Sequence, residues 1–141
     1  MTVGTFAVIL GGSRTEDTNL AFRVKVSTRN SPLLYLVEVI EERQAENHIK
    51  LRWWAPNDDA YAVPRTRRVT MEQCCQPGFA THDRGMEEWS AFVDPDEKAT
   101  GDVDVVISHA DVVMSWDADE SVGHIPDSKY AHLINRLKAL S

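Results

Sequence analysis

Cysteine is nearly missing from this sequence: Cys74 and Cys75 are the only two in 141 residues, and they are adjacent. A disulfide between neighbours strains the peptide geometry, so both are expected as free thiols in a reducing compartment. Long apolar runs are missing too. Nothing approaches the ~20 residues that span a bilayer, and Phe6-Ala7-Val8-Ile9-Leu10 is short for a signal-peptide core and follows no basic segment. A nuclear or cytoplasmic location and no membrane are the expectation. Positive charge is scarce, with 15 Lys and Arg against 22 Asp and Glu and a net charge of −7. Such a chain repels phosphates, so nucleic acid is not expected as a partner. A basic peptide or protein suits it better, although acidity also serves plain solubility.

Catalytic and metal signatures are equally sparse. The five histidines form no His-x-x-x-His pair, and Cys74-Cys75 lacks zinc-finger spacing. His82-Asp83 and His109-Ala110-Asp111 each offer ligand atoms, but neither belongs to a closed ligand set, and surface or turn roles are expected for them. No Gly-x-Ser-x-Gly elbow occurs. Cys75, His82 and Asp83 hold the right groups for a thiol triad, yet closeness in sequence does not establish triad geometry. Gly11-Gly12-Ser13 follows a strand-like run without a helix or a Lys-Ser/Thr pair after it, which reads as a turn rather than a phosphate cradle. Carboxylates are so many that no chosen pair is informative. The expectation is a protein that is not an enzyme, with no catalytic residues, no metal and no cofactor; an enzyme of unrecognised class is an alternative.

What is present is alternation, the mark of strands. Thr5 to Leu10 reads as a strand closed by Gly11-Gly12. Phe22, Val24 and Val26 alternate with Arg23, Lys25 and Ser27. Leu33 to Glu42 is apolar on both parities, which fits a strand buried on both faces or shared by two sheets. A helix is its rival, disfavoured by the β-branched and aromatic residues of its first eight positions. After a turn at Gln44–Asn47, His48 to Ala55 is the clearest strand. There Ile49, Leu51 and Trp53 share one parity, and Lys50, Arg52 and Trp54 the other. Pro56-Asn57-Asp58-Asp59 has turn chemistry. Tyr61 to Met71, with Pro64 and three arginines, reads as an irregular edge strand, and Gln73 to Arg84 as a loop. Strands follow at Glu88–Val93 and Asp102–Ile107, and Asp111–Trp116 is a strand or a helical turn. Asp127 or Ser128 is positioned to cap a helix over about 128–140, where Tyr130, Leu133, Ile134, Leu137 and Leu140 share a face. One domain accommodates all of this.

Two surface features offer function. Asp94, Asp96, Glu97, Asp102, Asp104, Asp111, Asp117, Asp119 and Glu120 face only Lys98 over their span. That is a solvated acidic surface or a docking face for a basic peptide. Arg65, Arg67 and Arg68 form the one basic patch, and solvated edge charges explain it. Among the aromatics, Trp53, Trp89 and Trp116 share parity with apolar neighbours and belong in a core. By parity Trp54 points away from Ile49 and Leu51. With Tyr61 across the turn and Asp58 or Asp59 as an acidic wall, it could form a cation–π cage. The alternative is Trp54 packed under a loop or under the C-terminal helix.

The run Leu34 to Tyr61 (LYLVEVIEERQAENHIKLRWWAPNDDAY) resembles BAH domains and related Tudor or agenet-like small barrels. In them a strand with a Val-x-x-Ile core leads through a turn to a strand ending in Trp-aromatic and a Pro-containing loop. Val106-Ile107, Val112-Val113-Met114 and Trp116 resemble the later strands of those barrels, so the likeness covers Ala21 to Trp116. It implies an SH3-like or BAH-like, partly open small barrel with the C-terminal helix added, acting in protein–protein interaction or as a chromatin reader. It further implies that Trp54 and Tyr61 enclose a methylated lysine, as of a histone tail, with Trp53 left open. Other members of these families act as scaffolds without a cage. For this chain that corresponds to an interaction domain using its acidic face or an edge strand.

Overall fold

Alternation is realised as a sheet. The computed structural model describes residues 2–11, 20–26, 32–42, 48–57, 68–82, 88–93 and 105–140. Its strands are β1 Thr5–Leu10, β2 Ala21–Phe22, β3 Leu34–Glu42, β4 His48–Pro56, β5 Ala80–Thr81, β6 Glu88–Val93, β7 Val105–Ile107 and β8 Val112–Asp117. Two α-helices accompany them, α1 Met71–Cys74 and α2 Tyr130–Leu140, with 3-10 turns at His109–Asp111 and Asp127–Lys129. Six strands run in the order β7-β6-β4-β3-β1-β8, while β2 pairs with β3 and β5 with β4. The fold is mainly β, and the sheet is open. All pairings in it are antiparallel except β6 with β7.

The order of strands dictates the shape of the sheet. β7 and β8 lie at opposite ends of the six-strand path, yet only Ser108 to Asp111 separate them in the chain. A flat sheet would hold its end strands ~24 Å apart at ~4.8 Å per strand. From Ile107 to Val112 the chain reaches at most ~18 Å, and the 3-10 turn at His109–Asp111 shortens that reach. The sheet therefore curls, bringing its two edges towards each other. Ile107 of β7 is buried in one apolar cluster, and Val112 of β8 packs against the same cluster.

Two-sided burial follows for the middle strands. β3 and β4 pair from Leu36↔Trp54 to Glu42↔Ile49, with a register shift between Val39 and Glu41. The inner face carries Ile9, Tyr35, Val37, Val39, Leu51 and Trp53. The outer face carries Phe6, Val8, Leu34, Leu36, Trp54 and Trp116, covered by Leu133 and Leu137 of α2 and by Met71 and Cys74 of α1. Apolar residues on both parities of β3 are thus accounted for, and the helix alternative is excluded.

Several expectations need correction. The supposed loop from Gln73 contains the end of α1 and all of β5. α1 starts from a capping box: Gln73 N–H donates to Thr70 Oγ1 at 3.2 Å, and Thr70 N–H donates to Gln73 Oε1 at 2.9 Å. Thr-x-x-Gln is the sequence signature of that motif, and it sits in front of Cys74. Of the supposed edge strand, residues 61–67 lie outside the described residues. Val69 makes a parallel bridge to Val24, and Met71 opens α1. Phe22, Val24 and Val26 are buried as anticipated, although only Phe22 lies in a strand. Asp111–Trp116 resolves into both alternatives, a 3-10 turn and then β8. The C-terminal helix forms, but neither Asp127 nor Ser128 caps it: a 3-10 turn capped by Pro126, with no side-chain hydrogen bond, leads into it. Its buried stripe is narrow. Leu133 and Leu137 are buried, whereas Tyr130 and Leu140, at the two ends, are exposed.

The chain after β8 laces over the outer face. Trp116 Nε1 donates to Ser121 O at 3.3 Å, Ala80 N–H to Gly123 O at 2.8 Å and Ile125 N–H to Cys74 O at 2.8 Å. Gly123 sits at φ 74°, and a Cβ there would lie 2.6 Å from Ala80 O and 2.9 Å from Trp54 Cζ3. Both the backbone conformation and the close approach require glycine. Gly123→Ala is expected to lower unfolding stability by roughly 1–3 kcal/mol, read as a drop in the urea midpoint with an unchanged slope.

Candidate functional site

Trp54 comes first, because the cage reading rests on it. It does not project into solvent: it is 8% exposed and belongs to the outer core. Phe6 meets it edge-on with ring centroids 5.2 Å apart, and the His82 ring lies 4.8 Å away, tilted by 42°. Its Nε1–H donates to Glu38 Oε1 at 3.1 Å, and that same oxygen is 3.9 Å from Arg52 Nη1. The parity assignment was right: Trp54 does lie opposite in face to Trp53, which is 2% exposed beside Tyr35. What parity left out is the cover. The polar face suggested by Lys50 and Arg52 continues only along part of β4. Towards the strand end the Gly123 turn closes over the ring. Glu38 marks the boundary, since its carboxylate serves the indole on one side and a guanidinium on the other. The other proposed cage residues, Asp58, Asp59 and Tyr61, lie outside the described residues.

The second place of interest is the free edge of β8. Gly11 N–H donates to Leu33 O, which assigns the odd residues of β1 to β3 and leaves the even ones for β8. Ala118 N–H accordingly donates to Gly4 O. In an antiparallel ladder such bonds alternate, so with Phe6 opposite Trp116 and Ala7 opposite Ser115 the amides of Ser115 and Asp117 turn outward. Among the described residues no strand pairs with that side. A groove of about 480 Å³ runs beside it, lined by Val112, Met114, Ser115, Ser128, Lys129 and His132. One wall is strand edge and the other is the start of α2. Asp117, Asp119 and Glu120, all exposed, follow two to five residues after Ser115 in the chain. Of the acidic run anticipated in the sequence, these three and half-buried Asp111 fall among the described residues. No sequence pattern pointed to the groove, because it depends on which strand ends up last in the sheet.

Comparison with known proteins adds no relative: no family model, no curated protein and no solved structure matches this chain.

The thiols are poor candidates for chemistry. Cys74 and Cys75 are both free, the first buried and the second half-buried. Cys74 Sγ donates to Met71 O at 3.2 Å. Burial pushes its thiol far above the ordinary value of 9.0, with the neighbouring Cys75 adding to the effect. Burial also raises Cys75, and Asp127 adds to it. A nucleophilic cysteine needs the opposite shift. Among the described residues, no group of three or more His, Cys, Asp or Glu side chains could hold a metal ion.

Two expectations follow. Trp54→Ala removes a core ring and its link to Glu38, so stability should fall by ~3–5 kcal/mol; chemical denaturation measures it. For Cys74 the folded state holds the thiol neutral while the unfolded chain ionises near its ordinary value. Its contribution is therefore whole below that value and declines as pH rises through it. From about pH 9, where the extra slope is ~0.7 kcal/mol per pH unit, wild-type stability should fall ever more steeply than that of Cys74→Ala, approaching ~1.4 kcal/mol per pH unit above about pH 10, compared by urea melts at each pH.

Proposed function

We propose that this protein is a non-catalytic recognition module, built as a partly open small barrel, that receives an extended segment of a protein or peptide partner on the free edge of β8. The observation that carries this reading is the outward-turned backbone of Ser115 and Asp117 beside an open groove. Strand addition supplies affinity through main-chain hydrogen bonds, and the groove supplies selectivity through side-chain contacts. The groove is mixed in character, with Val112 and Met114 for apolar side chains and Lys129 and His132 for polar ones. No reactive group is required for such binding.

A methylated-lysine cage built on Trp54 has less in its favour. Its ring is covered by Phe6, His82 and the Gly123 turn, and its N–H is engaged. The likeness of Leu34–Tyr61 to chromatin-reader barrels thus supports the interaction-module reading without supplying the ligand.

A peptide-array screen on the folded protein tests the site. Ser115→Pro removes one outward amide, and proline is tolerated where a strand N–H faces solvent. Peptides bound by the wild type should lose at least roughly tenfold in affinity on Ser115→Pro, the cost of one or two main-chain hydrogen bonds, with the thermal midpoint kept. Undiminished binding to Ser115→Pro overturns the assignment to β8.

A further inference from the structure

Lys129 lines the groove beside β8 together with Val112, Met114 and Ser115. Asp117 and the turn residues Asp119 and Glu120, all exposed, follow Ser115 along the chain. A strand that fits must carry negative charge where it meets Lys129. Run antiparallel to itself, β8 meets that demand. With Ser115 opposite Ser115 of a second copy, Asp117 of each falls opposite Val113 of the other, on the stretch whose groove Lys129 lines. The backbone agrees, because residues with outward amides then face residues with outward amides across the axis.

We infer that the occupant of the β8 edge is a second copy of this chain, joined antiparallel about a twofold axis at Ser115. The inference rests on the reading of β8 as a docking edge. A twofold interface is self-complementary by construction, so a charge pair that helps once helps twice, and a reversal harms twice. Asp111 opposes the arrangement, since it approaches Asp119 of the other copy, and the pairing must offset that contact.

Sedimentation velocity over a concentration series tests it in the full chain. The wild type should pass from monomer to dimer mass as concentration rises, and added salt should shift the transition upward, because exposed charges are screened. Lys129→Glu alone sets acid against acid at both ends, and Asp117→Lys with Glu120→Lys sets cation against cation while leaving Asp119, which faces Asp111, unchanged. Each variant should dimerise roughly tenfold more weakly than the wild type. Mixed together, the two variants restore opposite charges at both ends, so the mixture should dimerise as the wild type does. Ser115→Pro should be monomeric throughout. A wild type that stays monomeric at every concentration overturns the inference, as does a dimer indifferent to Ser115→Pro or a mixture no better than its components. If that monomer still binds array peptides through Ser115, the docking edge stands and only the second copy is lost. If it binds none, both readings fall.

Discussion

The short link from β7 to β8 governs this structure. Four residues join strands at opposite ends of a six-strand path, and a chain that short cannot cross the width of a flat sheet. The sheet must coil, and coiling gives it an inside and an outside that differ in what can fill them. The inside is filled by the sheet's own side chains, Tyr35, Val37, Leu51 and Trp53 among them. The outside cannot fold back on itself and must be covered by other chain. α1, the turn through Gly123, and α2 supply that cover, and Phe6, Leu36 and Trp54 lie beneath it. Without the cover, several large apolar side chains on the middle strands would face water, at ~25 cal/mol for each Å² exposed.

How much of this the sequence reveals depends on the range of the interaction involved. Alternation is local, and the strands Thr5–Leu10, Leu34–Glu42, His48–Pro56 and Glu88–Val93 fall where their patterns indicate. The apolar residues of β3 on both parities even announce two buried faces. Parity, however, is a relative quantity. It separates Trp53 from Trp54 but is silent on what lies over either, and the cover over Trp54 comes from a turn almost seventy positions later in the chain. Lys50 and Arg52 made that face look solvated because the same face changes character partway along one strand. α1 was missed for a different reason: four residues are too few to show a helical period, although the Thr70–Gln73 capping box was visible. β5, with two residues, carries no pattern at all.

The candidate groove was the least legible feature, and the two edges of the sheet show why it still matters. An exposed edge invites pairing with another chain, and proteins blunt it with brevity, lysine, proline or a bulge. β7 is blunted by brevity, at three residues. β8 is twice as long, and its sequence Val-Val-Met-Ser-Trp-Asp contains neither lysine nor proline. Its register shift against β1 lies near its start, between Val8 and Ile9, leaving the stretch from Met114 to Asp117 regular. The only charge on the strand, Asp117, stands at its end and leaves the backbone at Ser115 unobstructed. A strand required merely to close a core against β1 would function equally well with lysine at position 115, whose side chain already faces water. The small hydroxyl of Ser115, beside a groove with Lys129 on its far wall, leaves the outward amides of β8 uncovered among the described residues, and this distinguishes β8 from the three-residue edge strand at the other end of the sheet.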